Sequence, residues 1–191
     1  LGLIKAQHRI DARPLRIAKS RTINLRNLQA LRRAIAGADL LCTYNWGSLE
    51  AAIANKLPPR IPHVHYEDGF GPDESGGRQL PRRVAMRRLV LARTIVATPS
   101  ATLQAVAVNS WRLRKDRVIQ LPLGVDTASF AFDRDYARTP PAIGSVGSLR
   151  PEKNYARLIR IVAGLKGAGG LEIFGDGPER ASLQAMAHDG V

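Results

Sequence analysis

Gly144-Ser145-Val146-Gly147-Ser148-Leu149-Arg150-Pro151-Glu152-Lys153-Asn154 reads as the end of a strand, a glycine turn and the entry into a helix. Glycine at such a turn lets backbone approach a ligand closely, and the helix start beyond it exposes N–H groups at its positive dipole end. Arg150 and Lys153 stand beside the turn, so two cations and a helix start converge on one place. That combination suits a diphosphate. Forward of this stretch, the spacing predicts a helix over Asn154 to Leu165, a strand over Gly170 to Phe174 and a second helix over Pro178 to Ala187.

The same alternation runs backward from it. Asn24 to Ala36 is predicted as a helix stopped by Gly37, and Leu40 to Tyr44 as a short apolar strand. Gly47-Ser48 opens a helix from Leu49 to Lys56, which Pro58-Pro59 ends. Ile61 to Tyr66 is a second strand, Glu67 to Gly77 a Gly/Asp loop, and Pro81 to Ala92 a basic helix. Thr94 to Thr98 is a third strand, Ser100 caps a helix from Ala101 to Val108, and Arg117 to Leu121 is a fourth strand. Short apolar strands alternating with helices predict a parallel sheet covered on both faces. Pro122 to Pro141 carries three prolines and no periodic element, which predicts a linker.

The expected class is therefore α/β, with two Rossmann-like parallel-sheet domains: a partial N-terminal one over residues 1–121, a linker over 122–141, and the start of a second over 142–191. Two strands cannot close a full sheet in the second domain, and Leu1 is not a methionine. A piece of a longer protein, cut at both ends, is the expectation.

Composition narrows the partners. A chain of 191 residues with 45 % apolar and 24 % charged residues is ordinary globular protein, neither disordered nor fibrous. No apolar run approaches the ~20 residues of a membrane-spanning helix, and no signal peptide opens the chain, so a cytoplasmic protein is expected. The single cysteine, Cys42, makes neither an internal disulfide nor a thiolate zinc site, and its neighbours Leu40 and Leu41 predict a buried structural thiol. Net charge is +13, yet residues 140–191 hold six basic and five acidic groups, so almost the whole excess lies before residue 140. Arg78, Arg82, Arg83, Arg87, Arg88 and Arg93 crowd one segment between Leu80, Val84, Met86, Leu89, Val90 and Leu91. Such a helix suits an anionic membrane surface or a phosphate-bearing substrate; it reads equally as a solvated helix face. Nucleic acid is not expected, because no basic-aromatic platform, zinc finger or recognition helix accompanies the charge.

The run Val146 to Asn154, then Leu158-Ile159, then Leu171-Glu172-Ile173-Phe174-Gly175-Asp176-Gly177-Pro178-Glu179, closely resembles glycosyltransferase family 4. Leu121-Pro122-Leu123-Gly124-Val125-Asp126, with Phe130 beyond, is similar to the segment that enters the family's interdomain linker. The resemblance runs from about Asp39 to Val191. It implies the GT-B architecture and transfer of a sugar from a nucleotide-diphosphate donor, usually with retention at the anomeric carbon. Arg150 and Lys153, with Gly147 and Ser148, match the family's donor diphosphate site, and Gly175 and Gly177 its nucleotide-proximal turn. No metal is then needed for the leaving group and no cofactor beyond the nucleotide-sugar substrate. The acceptor implied is a polysaccharide, lipopolysaccharide or glycolipid, handled near the inner membrane leaflet. The family's glycine-rich loop would lie before Leu1, and its two glutamates separated by seven residues beyond Val191, so the 191-residue piece is expected to show little or no transfer by itself.

His63-Val64-His65-Tyr66-Glu67-Asp68-Gly69-Phe70-Gly71 holds the second cluster. Strand alternation sends His63 and His65 to one face, and Glu67 and Asp68 enter the glycine loop at a strand end. In the resembled family a histidine commonly stands just before this glycine, where Asp68 stands here. A carboxylate accepts a proton or holds sugar hydroxyls but cannot act as an imidazole does. Asp68 and Glu67 are thus the candidate catalytic, acceptor-side groups, with a loop-ordering role as the alternative. Tyr44-Asn45-Trp46-Gly47-Ser48 ends the first strand, and its rings either stack on a sugar or pack under the loop.

Other classes are weaker. A metal-dependent hydrolase built on His63 and His65 lacks an evident third ligand, since the remaining histidines are His8 and His188. Asp133-Arg134-Asp135 has the spaced aspartates of metal-dependent sugar transferases but no preceding apolar strand. A non-catalytic nucleotide-binding module remains the main rival to an enzyme.

Overall fold

The structure is a computed structural model that describes residues 15, 17–18, 23–71, 74, 79–129 and 142–188. The chain divides into two compact units, Leu1–Gly124 and Val125–Val191. Arg78, Phe130, the Asp133-Arg134-Asp135 triplet and most of the expected linker lie outside the described residues.

Unit 1 contains α1 (Leu25–Ile35), β1 (Leu41–Tyr44), α2 (Leu49–Ala54), β2 (His63–Tyr66), α3 (Pro81–Leu91), β3 (Ile95–Thr98), α4 (Ala101–Asn109) and β4 (Val118–Gln120). Local chemistry sets the ends. The Asn24 side chain accepts from Arg26 N at the start of α1, and Gly37 follows it at φ +81°. Ser100 Oγ accepts from Leu103 N at 3.2 Å to open α4, and Pro81 occupies the first turn of α3.

The four strands pair in parallel in the order β1-β2-β3-β4, with Thr43 beside His65 and His65 beside Val96. Strands that neighbour in sequence order, joined by right-handed crossovers, send every crossover helix to the same face. Burial agrees: Leu41, Thr43, His65, Val96, Thr98 and Val118 are buried on that face. On the opposite face Tyr44, Ile95 and Ile119 remain exposed at 51 %, 42 % and 44 %. A sheet covered on both faces was the expectation; in the described part of unit 1 only one face is well covered.

Two expectations fail for the same reason of phase. Cys42 is exposed, because the alternation of β1 turns Leu41 and Thr43 to the core and Cys42 away from it. Nor does α3 present all its arginines to solvent. Val90, Leu91 and Arg87 point inward, Arg87 to 1 % exposure, while Leu89 is left out at 71 %. The core of unit 1 gathers Leu49, Ala52, Val90, Leu91, Val96 and Trp111. Among the described residues no helix is long and apolar enough to cross a membrane.

Unit 2 contains β5 (Ile143–Val146), α5 (Tyr155–Ala163), β6 (Leu171–Phe174) and α6 (Arg180–His188), with β5 and β6 parallel. Leu149, Tyr155, Ile159 and Leu183 form its core. The helix expected from Asn154 begins at Tyr155; a 3-10 turn over Pro151–Lys153 precedes it, and Asn154 adopts a left-handed conformation as its cap.

Candidate functional site

In unit 1 the chemistry collects at the carboxyl ends of β1 and β2, where ligands bind in open parallel sheets. Asn45 follows β1 at φ 53°, ψ −177°, a backbone region that side chains rarely adopt. It is held there on three sides. Its N–H donates to Tyr66 O at 2.8 Å, its Nδ2 donates to Asp68 Oδ1 at 2.6 Å, and its Oδ1 accepts from Asp68 N at 2.9 Å. Tyr44 Oη donates to the other carboxylate oxygen, Asp68 Oδ2. That hydrogen bond comes first among the causes that raise the Tyr44 pKa above its usual value, so the phenol stays protonated and serves as a donor. Asp68 is exposed, an oriented carboxylate on the sheet rim.

Glu67, one residue earlier, points the other way. It is 1 % exposed and meets the Arg87 guanidinium in a forked pair, Nη2 to Oε1 at 3.2 Å and Nε to Oε2 at 3.4 Å. Arg87 also donates to Glu74, Nη1 to Oε1 at 3.3 Å, and Arg83 Nη1 reaches Glu74 Oε2 at 3.0 Å. Burial would raise the Glu74 pKa, but the hydrogen bonds from Arg87 and Arg83 outweigh it and hold the carboxyl below its usual value. Two carboxylates thus meet two guanidiniums. The Arg87 carbon lies 5.2, 5.3 and 5.0 Å from the ring centres of Trp46, Phe70 and Trp111, so aromatic faces close the remaining sides. The structure therefore separates the two predicted acceptor-side carboxylates: Asp68 reaches solvent, and Glu67 anchors the loop beneath it.

A chain of hydrogen bonds leads into Glu67. His65 Nε2 lies 3.1 Å from Glu67 Oε2, and Thr43 Oγ1 lies 2.7 Å from both His65 Nδ1 and His63 Nε2. Thr94 Oγ1 lies 3.0 Å from His63 Nδ1. An ionised Glu67 only accepts, which makes Nε2 of His65 the protonated nitrogen and Nδ1 an acceptor for the Thr43 hydroxyl. Thr43 has one proton, so it must accept from His63 Nε2, and His63 Nδ1 then accepts from Thr94. One proton order satisfies the whole chain. Burial, with a smaller contribution from the neighbouring His65, lowers the His63 pKa to about 4, in keeping with a neutral ring. All four ring nitrogens are engaged in hydrogen bonds, and among the described residues no group of three or more His, Cys, Asp or Glu is gathered as an ion's ligands would be.

Unit 2 is organised by backbone instead. Gly147 N donates to Phe174 O at 3.0 Å, Leu149 N to Asp176 O at 2.9 Å, and Glu179 N to Leu149 O at 3.0 Å. These bonds draw the turns after β5 and β6 so close that a Cβ on Gly175 would sit 1.9 Å from Gly147 O, and one on Gly177 2.4 Å from Leu149 O. The glycines have a packing reason for being glycine, beside any approach of a nucleotide. The bond from Lys153 N to Arg150 O at 2.9 Å closes a 3-10 turn. Arg150, extended at φ −118° and ψ 154°, and Lys153 thus flank this turn, and both are exposed. The Arg150 side chain is 57 % exposed, and Glu152 lies 4.0 Å away, too far to engage it strongly. A cavity of about 510 Å³ in unit 2 is lined by Leu149, Ile159, Ile173 and Leu183 together with Gly175, Arg180 and Gln184, but by neither Arg150 nor Lys153.

The sequence model described as Glycosyltransferase Family 4 matches residues 3–129. The chain belongs to glycosyltransferase family 4. That match covers the unit with the sheet rim and the buried network, whereas the motifs around Arg150 and Gly175 lie outside it. Among solved structures, the chain is similar to Alr3699/HepE from Anabaena, crystallised with UDP, at 15 % identity and a TM-score of 0.69, covering 85 % of this chain and 47 % of that one. It is also similar to a sucrose-phosphate synthase from Thermosynechococcus elongatus, at 16 % identity and a TM-score of 0.64, covering 85 % and 45 %. The chain thus spans about half the length of these structures, and at such identity the likeness shows the shared GT-B fold. No curated protein matches.

Within this family 4 chain, sequence reasoning missed Arg87, Glu74 and Tyr66. Two glutamates seven positions apart, Glu67 and Glu74, ahead of an arginine inside an apolar helix segment, are the available signal. Buried arginine needs paired carboxylates.

Proposed function

We propose that the protein transfers a sugar from a nucleotide-diphosphate donor to a glycan or lipid-linked acceptor, as part of polysaccharide, lipopolysaccharide or glycolipid assembly, with retention at the anomeric carbon. The observation that carries this reading is the pair of exposed cations, Arg150 and Lys153, flanking a 3-10 turn closed by a backbone hydrogen bond, in a chain of glycosyltransferase family 4. The guanidinium fork takes two phosphate oxygens and the ammonium acts as a point charge, so together they offset negative charge growing on the leaving diphosphate. The backbone N–H of Ser148 borders the same turn, that of Gly147 being engaged by Phe174 O, with Gly175 and Gly177 beside it. Asp68, on the rim of the other unit, is the acceptor-side carboxylate that receives a hydroxyl proton or orients the hydroxyl. UDP is the first nucleotide to try, because HepE was crystallised with it.

Calorimetric titration of the chain with UDP and GDP tests the clamp. Hydrogen bonds to charged groups contribute about 1.5–3 kcal/mol, so Arg150→Ala and Lys153→Ala should each weaken the nucleotide about tenfold or more. Undiminished affinity in both variants would remove the clamp from the reading.

The membrane-side part of the proposal rests on the outer face of α3, where Arg82, Arg88, Leu89 and neighbouring Arg93 are all exposed. An apolar residue among cations suits an anionic leaflet, at the cytoplasmic side of a membrane. Flotation with anionic vesicles should be salt-sensitive and weakened by Arg82→Glu/Arg88→Glu; absence of flotation at low salt argues against it.

A further inference from the structure

We propose that Tyr44 and Tyr66, with Asp68 and Asn45 beside them, form a subsite for one pyranose ring, the sugar lying on the outer face of Tyr44 with its hydroxyls reaching the Asp68 carboxylate. This rests on the glycosyltransferase reading and specifies where an acceptor glycan is gripped. Trp46, the other aromatic residue of the segment, is excluded because its ring is taken up by Arg83 and Arg87, whose guanidinium carbons lie 4.8 and 5.2 Å from its centre.

The two tyrosines form a preorganised surface. They face each other across the β1–β2 pair with ring centres 5.6 Å apart and planes 2° from parallel. Tyr66 covers one face of the Tyr44 ring across the paired strands. Tyr44 keeps 51 % of its surface exposed. Each ring is tied at its tip: Tyr44 Oη donates to Asp68, and Tyr66 Oη donates to Leu121 O at 3.1 Å. Rings already held at both ends lose little freedom when a ligand arrives.

The ligand class follows from the combination. An aromatic face is electron-rich and attracts the C–H face of a pyranose, while the hydroxyl edge of the same sugar needs acceptors and donors alongside. Asp68 offers them: each carboxylate oxygen retains acceptor capacity after its bond to Asn45 or Tyr44. A purely aliphatic ligand would use the ring and strand the carboxylate without a partner. A phosphate would be repelled by Asp68. Backbone strain at Asn45, held by Tyr66 and Asp68, places the amide and the carboxylate in one rigid ring next to Tyr44.

Saturation-transfer NMR on the chain, with the methyl α- and β-glycosides of glucose, galactose, mannose and N-acetylglucosamine as probes, tests this at the millimolar affinities expected of one sugar. At least one glycoside should receive magnetisation through its C–H face. Tyr44→Leu keeps apolar bulk but no ring face and should weaken that glycoside about tenfold, roughly 1.4 kcal/mol, whereas Tyr44→Phe should stay within about threefold. Asp68→Asn should weaken it and change which hydroxyl pattern is preferred. Binding that survives Tyr44→Leu unchanged overturns the subsite. UDP titrated in parallel separates the two ideas: UDP binding with no glycoside bound overturns the subsite and leaves the donor reading standing, and glycoside binding without UDP does the reverse.

Discussion

The sheet rim of unit 1 and the glycine turn of unit 2 both present polar groups at the carboxyl ends of parallel strands, but they are stiffened by opposite means. In unit 1 side chains do it: Arg87 pins Glu67 and Glu74, and Asp68 emerges beside that anchor. In unit 2 backbone does it, through contacts that only glycine permits at 175 and 177. A rim built on buried ions responds to charge and pH. A turn built on backbone packing responds to volume.

Substitutions can break this contrast. The largest effect is expected from Arg87→Met, which leaves two buried carboxylates short of a partner; losing one member of a buried pair typically costs about 3–5 kcal/mol. Denaturant unfolding should show that loss, and Arg87→Lys should rescue little because an ammonium cannot make the fork. A melting temperature near that of the wild type would mean the network is not the anchor. Gly175→Ala comes next. Its methyl would meet backbone rather than a movable side chain, so an overpacking cost of about 1–3 kcal/mol is expected at the upper end, confined to unit 2. Equal loss of unit 1 signals in hydrogen exchange would contradict the division of labour.

Acid titration gives the smallest and most specific effect. The His63 pKa is lowered from 6.5 to about 4, so the folded state disfavours the protonated ring. The contribution is therefore complete above pH 6.5 and is lost as pH falls toward 4. Thermal melts across that window should fall less steeply for His63→Gln than for the wild type. Identical slopes would show that the ordered chain from Thr94 to Glu67 does not constrain His63.

Much of the scaffold was legible because its signals are local. Asn24 before α1, Gly37 after it, Ser100 before α4 and the short apolar strands each act through neighbours in the chain, and their elements form within a few residues of expectation. Asp68 on the rim and Glu67 in the core could not be separated this way, being adjacent and chemically alike. Nor could Cys42 be placed, since apolar neighbours say nothing about which sheet face a helix covers. The role of Tyr66 depends on its register with Tyr44, fixed by pairing between strands 22 residues apart.

Covalent order alone determined an α/β chain with parallel strands, its helix caps, and a paired cation motif after a glycine turn, because these depend on periodicity and on residues within one turn of each other. Tertiary structure alone decided which carboxylate is an anchor and which is available, which arginine is buried, and which aromatic ring stays open. Those outcomes depend on strand register and helix phase across the sheet, where one residue's shift reverses inside and outside.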